Sequence, residues 1–122
     1  MPKKILIIDD DPVLVRCLEE QLTRQGYSVV VAYDGMSGLQ KAREELPDLI
    51  TLDVMMPVLN GYSVCAFLKL DSEMSAIPVL MITARCEEND DNFQDDVAPQ
   101  AYLTKPFKIE DVLQHVSTLI GV

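Results

Sequence analysis

Ile5-Leu6-Ile7-Ile8-Asp9-Asp10 is an apolar run that ends in two carboxylates. Three further runs repeat the arrangement: Leu49 to Leu52 leads into Asp53, Val79 to Ile82 into Thr83, and Tyr102 to Thr104 into Lys105. Runs of this length, rich in Ile, Leu and Val and separated by helix-length segments, read as buried parallel strands joined by helical crossovers. Five strands fit, at about 4–9, 27–32, 48–53, 77–83 and 100–104. The pattern predicts an α/β sandwich of three layers, with helices on both faces of a parallel sheet. Every strand then points the same way, so Asp9, Asp10, Asp53, Thr83 and Lys105 meet at one sheet edge, where open α/β folds place their ligands.

The intervening segments carry helix signals. Asp11 caps the first helix, Pro12 occupies its first turn, Leu14, Cys17, Leu18 and Leu22 form its inner face, and Gly26 ends it. A second helix starts near Asp34, presents Leu39, Ala42 and Leu46, and stops at Pro47. The loop Met55-Met56-Pro57-Val58-Leu59-Asn60-Gly61 precedes a third, with Val64, Phe67 and Leu68 inward. Met55 and Met56 read as packing residues. The last helix has Ile109, Val112, Leu113, Val116, Leu119 and Ile120 at helical spacing, and His115 is expected to face solvent. Between them, 87–100 offers only Phe93, Val97 and Ala98 to a core, which predicts a short, polar fourth helix.

Composition narrows the function. The 122 residues are read as a single domain, 1–122, with apolar content of 48% and no run near the roughly 20 residues of a membrane span. Met1-Pro2-Lys3-Lys4 leads straight into a strand without a signal-peptide layout, so the expected location is cytoplasmic. A formal charge of −10 disfavours contact with nucleic acid or an anionic membrane. Cys17, Cys65 and Cys86 lack metal spacing and fit reduced thiols, with Cys17 and Cys65 in the core.

Three carboxylates, a hydroxyl and an amine at one edge suit phosphoryl transfer to a carboxylate. Such a nucleophile needs a cation to shield repulsion and positive groups to neutralise the equatorial oxygens. Asp10 and Asp53 would bind Mg²⁺ directly, Asp9 directly or through water, and the backbone carbonyl of Met55 would complete the protein ligands. Lys105 would pair with one phosphate oxygen and Thr83 would donate to another, leaving Asp53 as the nucleophile. A phosphohydrolase using Asp9 and Asp11 as an Asp-x-Asp pair is the rival enzyme reading, and it leaves Asp53 without a role.

Ile7-Ile8-Asp9-Asp10-Asp11-Pro12, Leu52-Asp53-Val54-Met55-Met56-Pro57 with Asn60-Gly61, Ile82-Thr83-Ala84 and Tyr102-Leu103-Thr104-Lys105-Pro106-Phe107 resemble, jointly and in order, the motifs of a response-regulator receiver domain of the stand-alone type. The resemblance implies a flavodoxin-like (βα)5 fold with strand order 2-1-3-4-5. It implies Asp53 as phosphoacceptor, Asp9 and Asp10 at Mg²⁺, Lys105 on the phosphate, Thr83 and Tyr102 as a switch pair, and a cis peptide at Lys105–Pro106. It further implies a sensor histidine kinase or histidine phosphotransfer protein as donor and a downstream protein as target. The domain would catalyse its own phosphorylation and dephosphorylation without being a turnover enzyme on an external substrate. The chain departs from the family at Ala98-Pro99-Gln100-Ala101, where a Gly-Ala-Asp-type turn is usual.

Overall fold

Successive side chains on a strand point to opposite faces, so an uninterrupted apolar strand demands cover on both sides. The computed structural model, which describes residues 2–83 and 98–121, meets that demand. Its elements are β1 (Lys4–Ile8), α1 (Pro12–Arg24), β2 (Ser28–Ala32), α2 (Gly35–Glu45), β3 (Leu49–Asp53), α3 (Gly61–Leu70), β4 (Val79–Thr83), β5 (Ala101–Thr104) and α4 (Ile109–Ile120). The five strands form one parallel sheet of order β2-β1-β3-β4-β5. This is the order implied by the family resemblance. The helix expected within 87–100 falls almost wholly outside the described residues, as does Cys86.

Two cores flank the sheet. Leu6, Ile8, Ile50, Leu52 and Met81 pack with Ala42 of α2 and Val64 and Leu68 of α3. Ile5, Ile7, Leu49, Leu80 and Ile82 pack with Val15, Leu18 and Leu22 of α1 and Val112 and Val116 of α4. Each fully buried Leu or Ile contributes roughly 1.5–3 kcal/mol relative to exposure, which is why β3 and β4, buried at every position, hold the centre. The edge strands β2 and β5 are only half-buried over most of their length.

Several expected positions move. Cys17 is exposed, and Val15, Leu18 and Leu22 form the buried stripe of α1. Spacings of three and four from Leu18 reach Val15 and Leu22, whereas Cys17 is rotated well off that line. Phe67 is likewise 57% exposed, because α3 buries Gly61, Val64, Cys65 and Leu68. Leu46 adopts a left-handed conformation (φ 43°) as the C-cap of α2 and is exposed. Met56 is buried as expected, but Met55 is 63% exposed. His115 is half-buried and does not face solvent fully.

A charge enters the core side of α3. Lys69 is buried, and its ammonium donates to the carbonyls of Ser75 (3.3 Å) and Ile77 (2.7 Å). Burial lowers its pKa, against a smaller upward pull from Cys65, whose own pKa burial pushes up to about 11. The unusual Gln100 also has a local role. Its backbone N–H donates to the Val79 carbonyl (3.0 Å) and its side-chain Oε1 accepts from the Val79 N–H (2.8 Å), closing the β4–β5 ladder at its first rung.

Candidate functional site

Register places the acidic residues side by side. Ile8 of β1 pairs with Leu52 of β3, so the residues that follow, Asp9 and Asp53, emerge as neighbours at the C-terminal edge of the sheet. Asp53 itself pairs with Ile82 of β4, and Thr83 pairs with Thr104 of β5. The Lys105 N–H then donates to the Thr83 carbonyl at 2.7 Å, tying the ends of β4 and β5 together beside the carboxylates. The Lys105–Pro106 peptide is cis.

Carboxylate oxygens of Asp9, Asp10 and Asp53 lie within 4.8 Å of one another. Asp9 and Asp53 are buried, whereas Asp10 is exposed. The Lys105 ammonium stands 3.4 Å from Asp9 Oδ2 and 3.4 Å from Asp53 Oδ1. Charge-assisted contacts at their optimum are about 2.7–2.9 Å. Lys105 therefore bridges the pair loosely and is placed to follow another anion.

Asp9 is held by more than Lys105. Its backbone N–H continues the β1–β2 ladder to the Ala32 carbonyl (3.1 Å), and its Oδ1 accepts the Asp11 N–H at 2.9 Å. Burial raises its pKa above the ordinary carboxylate value; the neighbouring Asp53 charge adds to the rise, while the Asp11 N–H and Lys105 oppose it. Asp11 points elsewhere: its Oδ1 accepts from Val13 N–H (3.0 Å) and Leu14 N–H (3.4 Å) as the N-cap of α1. A carboxylate so engaged is a cap, which removes the partner that an Asp9/Asp11 phosphohydrolase would need.

Three carboxylates against one ammonium leave an excess of negative charge in a partly buried pocket. Packing like charges this closely is costly unless a cation shares the site. An all-oxygen donor set suits a hard cation such as Mg²⁺ far better than a metal that prefers nitrogen or sulfur. Met55 lies two residues past Asp53 in the β3–α3 loop, with its side chain turned to solvent. Thr83 is buried at the end of β4, and Tyr102, opposite Met81 on β5, packs partly buried against the core shared with α2 and α3.

The loop after Asp53 has a geometry that motif reading, which quoted Asn60-Gly61 only as part of a pattern, did not give. Val58 is fully exposed with φ 69°, a left-handed conformation that β-branched residues rarely adopt. Met56 N–H and Gly61 N–H both donate to the Val54 carbonyl (3.1 and 2.9 Å), and Leu59 N–H donates to the Pro57 carbonyl (2.8 Å). Asn60 Oδ1 caps α3 by accepting the Ser63 N–H at 3.0 Å. Gly61 lies so close to the Asp53–Val54 backbone that a β-carbon would overlap it. The Asn60-Gly61 pair at a helix start is the sequence trace of this approach.

A doubly wound parallel sheet carrying an acidic cluster and a lysine at its C-terminal edge places the chain among flavodoxin-like α/β domains with a polar site at the strand ends. Comparison with known proteins agrees, since the model of the response regulator receiver domain matches residues 5–117. The chain belongs to the receiver domain family of two-component response regulators. It is 42% identical over 120 residues to the alkaline phosphatase synthesis transcriptional regulatory protein PhoP of Bacillus subtilis, spanning 98% of this chain but 49% of that protein. Against the protein PilH of Pseudomonas aeruginosa it is 36% identical, covering 97% of this chain and 98% of PilH. The chain thus spans about half the length of the first relative and nearly all of the second.

Solved structures give the same picture. A response regulator from Chloroflexus aurantiacus superposes with a TM-score of 0.90 at 30% identity, covering 100% of both chains. The receiver domain of a sensor histidine kinase from Pseudomonas aeruginosa, described with a magnesium ion coordinated in its active-site cleft, does so at 0.88 and 28%, again over 100% of both. Among the described residues, no helix is long and apolar enough to cross a membrane.

Proposed function

We propose that residues 1–122 act as a single receiver domain that accepts a phosphoryl group on Asp53 and signals through a changed protein-binding surface. The observation that carries the reading is the convergence of Asp9, Asp10 and Asp53 within 4.8 Å, with Lys105 3.4 Å from two of them. Asp9, Asp10, Asp53 and the Met55 carbonyl are the proposed Mg²⁺ ligands. Bound there, Mg²⁺ supplies charge neutralisation for an approaching phosphoryl group.

An Asp53 carboxylate oxygen attacks phosphorus, the phosphorus–nitrogen bond of the donor phosphohistidine breaks, and the imidazole leaves with a proton from solvent. Lys105 moves from its loose bridge to an oxygen of the new acyl phosphate, and the Thr83 hydroxyl donates to another. Water later attacks phosphorus, releasing inorganic phosphate and regenerating the carboxylate. Movement of Thr83 toward the phosphate, with Tyr102 following, biases the surface near β5 between two states. The free energy available for output is the difference in phosphate contacts between those states.

The donor is a sensor histidine kinase or a histidine phosphotransfer protein, and a downstream protein reads the state. A cleft of about 390 Å³ beside Lys105, lined by Leu14, Cys17, Phe107 and Ile109 among others, supports a protein partner at this edge. The formal charge of −10 favours protein over nucleic acid as target.

Incubation with acetyl phosphate, followed by a phosphate-affinity gel, tests the reading. We expect a retarded band that needs Mg²⁺, disappears in Asp53→Ala and weakens strongly in Lys105→Ala. A retarded band that survives Asp53→Ala, or that forms equally in chelator, would overturn it.

A further inference from the structure

Asp53 emerges from β3 into a loop that must return to the start of α3 within a few residues, and the point of return is Gly61. The Gly61 N–H donates to the Val54 carbonyl at 2.9 Å. A β-carbon built on Gly61 would strike the carbonyl oxygen of Asp53 and lie 2.8 Å from Val54 Cα and 2.9 Å from the Asp53 carbonyl carbon. All three atoms are backbone, so no side chain can rotate away to make room. The first turn of α3 is therefore seated directly on the peptide that follows the acceptor carboxylate.

We infer that Gly61 is a positioning residue of the cation site: by lacking a side chain, it lets α3 clamp the Asp53–Val54 backbone and so fixes the Asp53 carboxylate against Asp9 and Asp10. The inference rests on the reading of the acidic cluster as a Mg²⁺ site and adds the residue that sets its geometry. Mg²⁺ requires nearly octahedral donors at about 2.0–2.1 Å, so a shift of the Asp53 backbone is felt first as lost cation affinity.

The neighbouring glycines set the contrast. Gly35, at the start of α2, approaches Leu59 of the same loop and Val64 of α3: a β-carbon there would lie 2.7 Å from the Leu59 carbonyl oxygen and 2.9 Å from Val64 Cγ2. These contacts fall on Leu59 of the loop and on Val64 of α3, and none reaches the Asp53 backbone. A methyl group at Gly35 strains the fold, and one at Gly61 strains the fold and the site together.

Calorimetric titration with Mg²⁺ separates these roles, with circular dichroism to confirm folding. Gly61→Ala is expected to bind Mg²⁺ at least about tenfold more weakly than the parent chain, the loss typical when the support of a metal ligand is disturbed. Gly35→Ala is expected to lose thermal stability yet stay within about twofold of parent affinity. Parent-like affinity in Gly61→Ala, or an equal loss in Gly35→Ala, would overturn the inference. Should Gly61→Ala fail to fold, Asn60→Ala decides by freeing the α3 first turn without adding bulk. It should weaken Mg²⁺ several-fold, and unchanged affinity would overturn the inference. No Mg²⁺ binding by the parent would instead remove the cation-site reading itself.

Discussion

Asp9 is where the site's needs conflict with those of the fold. Its raised pKa means that folding disfavours the ionised form, so between the ordinary carboxylate value of 3.8 and the raised value the folded chain holds more protons than the unfolded one. Without a cation, the Asp9 contribution to stability is therefore unfavourable above that window and is relieved as pH falls through it. Asp9→Asn removes the charge and keeps an acceptor for the Asp11 N–H. In chelator at neutral pH it should melt a few degrees above the parent, and Mg²⁺ should then raise its midpoint less than it raises the parent's. A lower midpoint in chelator would contradict this account.

The placement of the aspartates, Thr83 and Lys105 at the strand ends was legible because they follow apolar runs, a pattern written along one dimension. Gly61 as a clamp was not, since its close approach joins a helix start to a strand end and only three-dimensional packing shows it. The left-handed Val58 gave no signal either, because a β-branched residue is the last choice for such a conformation.

At the scale of elements, glycine governs how closely α2 rides on β1. A β-carbon on Gly38 would lie 2.6 Å from Ile8 Cδ1 and 2.9 Å from its two Cγ atoms, and Ile8 immediately precedes Asp9. Overpacking of this kind costs about 1–3 kcal/mol, against a gain of roughly 0.5–1 kcal/mol for replacing a helical glycine. Gly38→Ala should therefore destabilise by about 1 kcal/mol in urea unfolding. Ile8→Val deletes the nearest atom, so the double variant should recover part of that loss relative to the sum of the singles. Strict additivity would show that the two side chains do not compete for this space.

Helix faces were legible to within one position. Leu18, Leu22, Val64, Leu68, Val112 and Val116 are buried as periodicity requires. Cys17 and Phe67 were misplaced because an apolar residue beside a stripe reads like one within it, and a helix tilted on a twisted sheet decides which is covered. The burial of Lys69 had no sequence signal: its reward is two carbonyls on the segment leading to β4.

At the scale of the molecule, sheet order does the assembling. Lys105 and Asp9 are 96 residues apart, yet meet because β1, β3, β4 and β5 lie in one parallel sheet with their C-terminal ends together. Parallel strands with crossover connections were readable from the alternation of apolar runs and helical segments. The order 2-1-3-4-5 came from the family resemblance, since alternation alone leaves several orders open. The same architecture explains how a small event can spread. Thr83 and Tyr102 sit on adjacent strands, so a phosphate on Asp53, the proposed acceptor, would act at the end of the layer whose outer edge is β5.

Everything in this account turns on which carboxylate carries the phosphoryl group. An acyl phosphate is reduced by borohydride to the corresponding alcohol, which marks the acceptor permanently. The deciding measurement is borohydride trapping after incubation with acetyl phosphate and Mg²⁺, followed by peptide mass spectrometry across Asp9, Asp10, Asp11 and Asp53. The account predicts homoserine at residue 53 alone, and none when Mg²⁺ is chelated. Reduction at Asp9, Asp10 or Asp11 with Asp53 intact would contradict it.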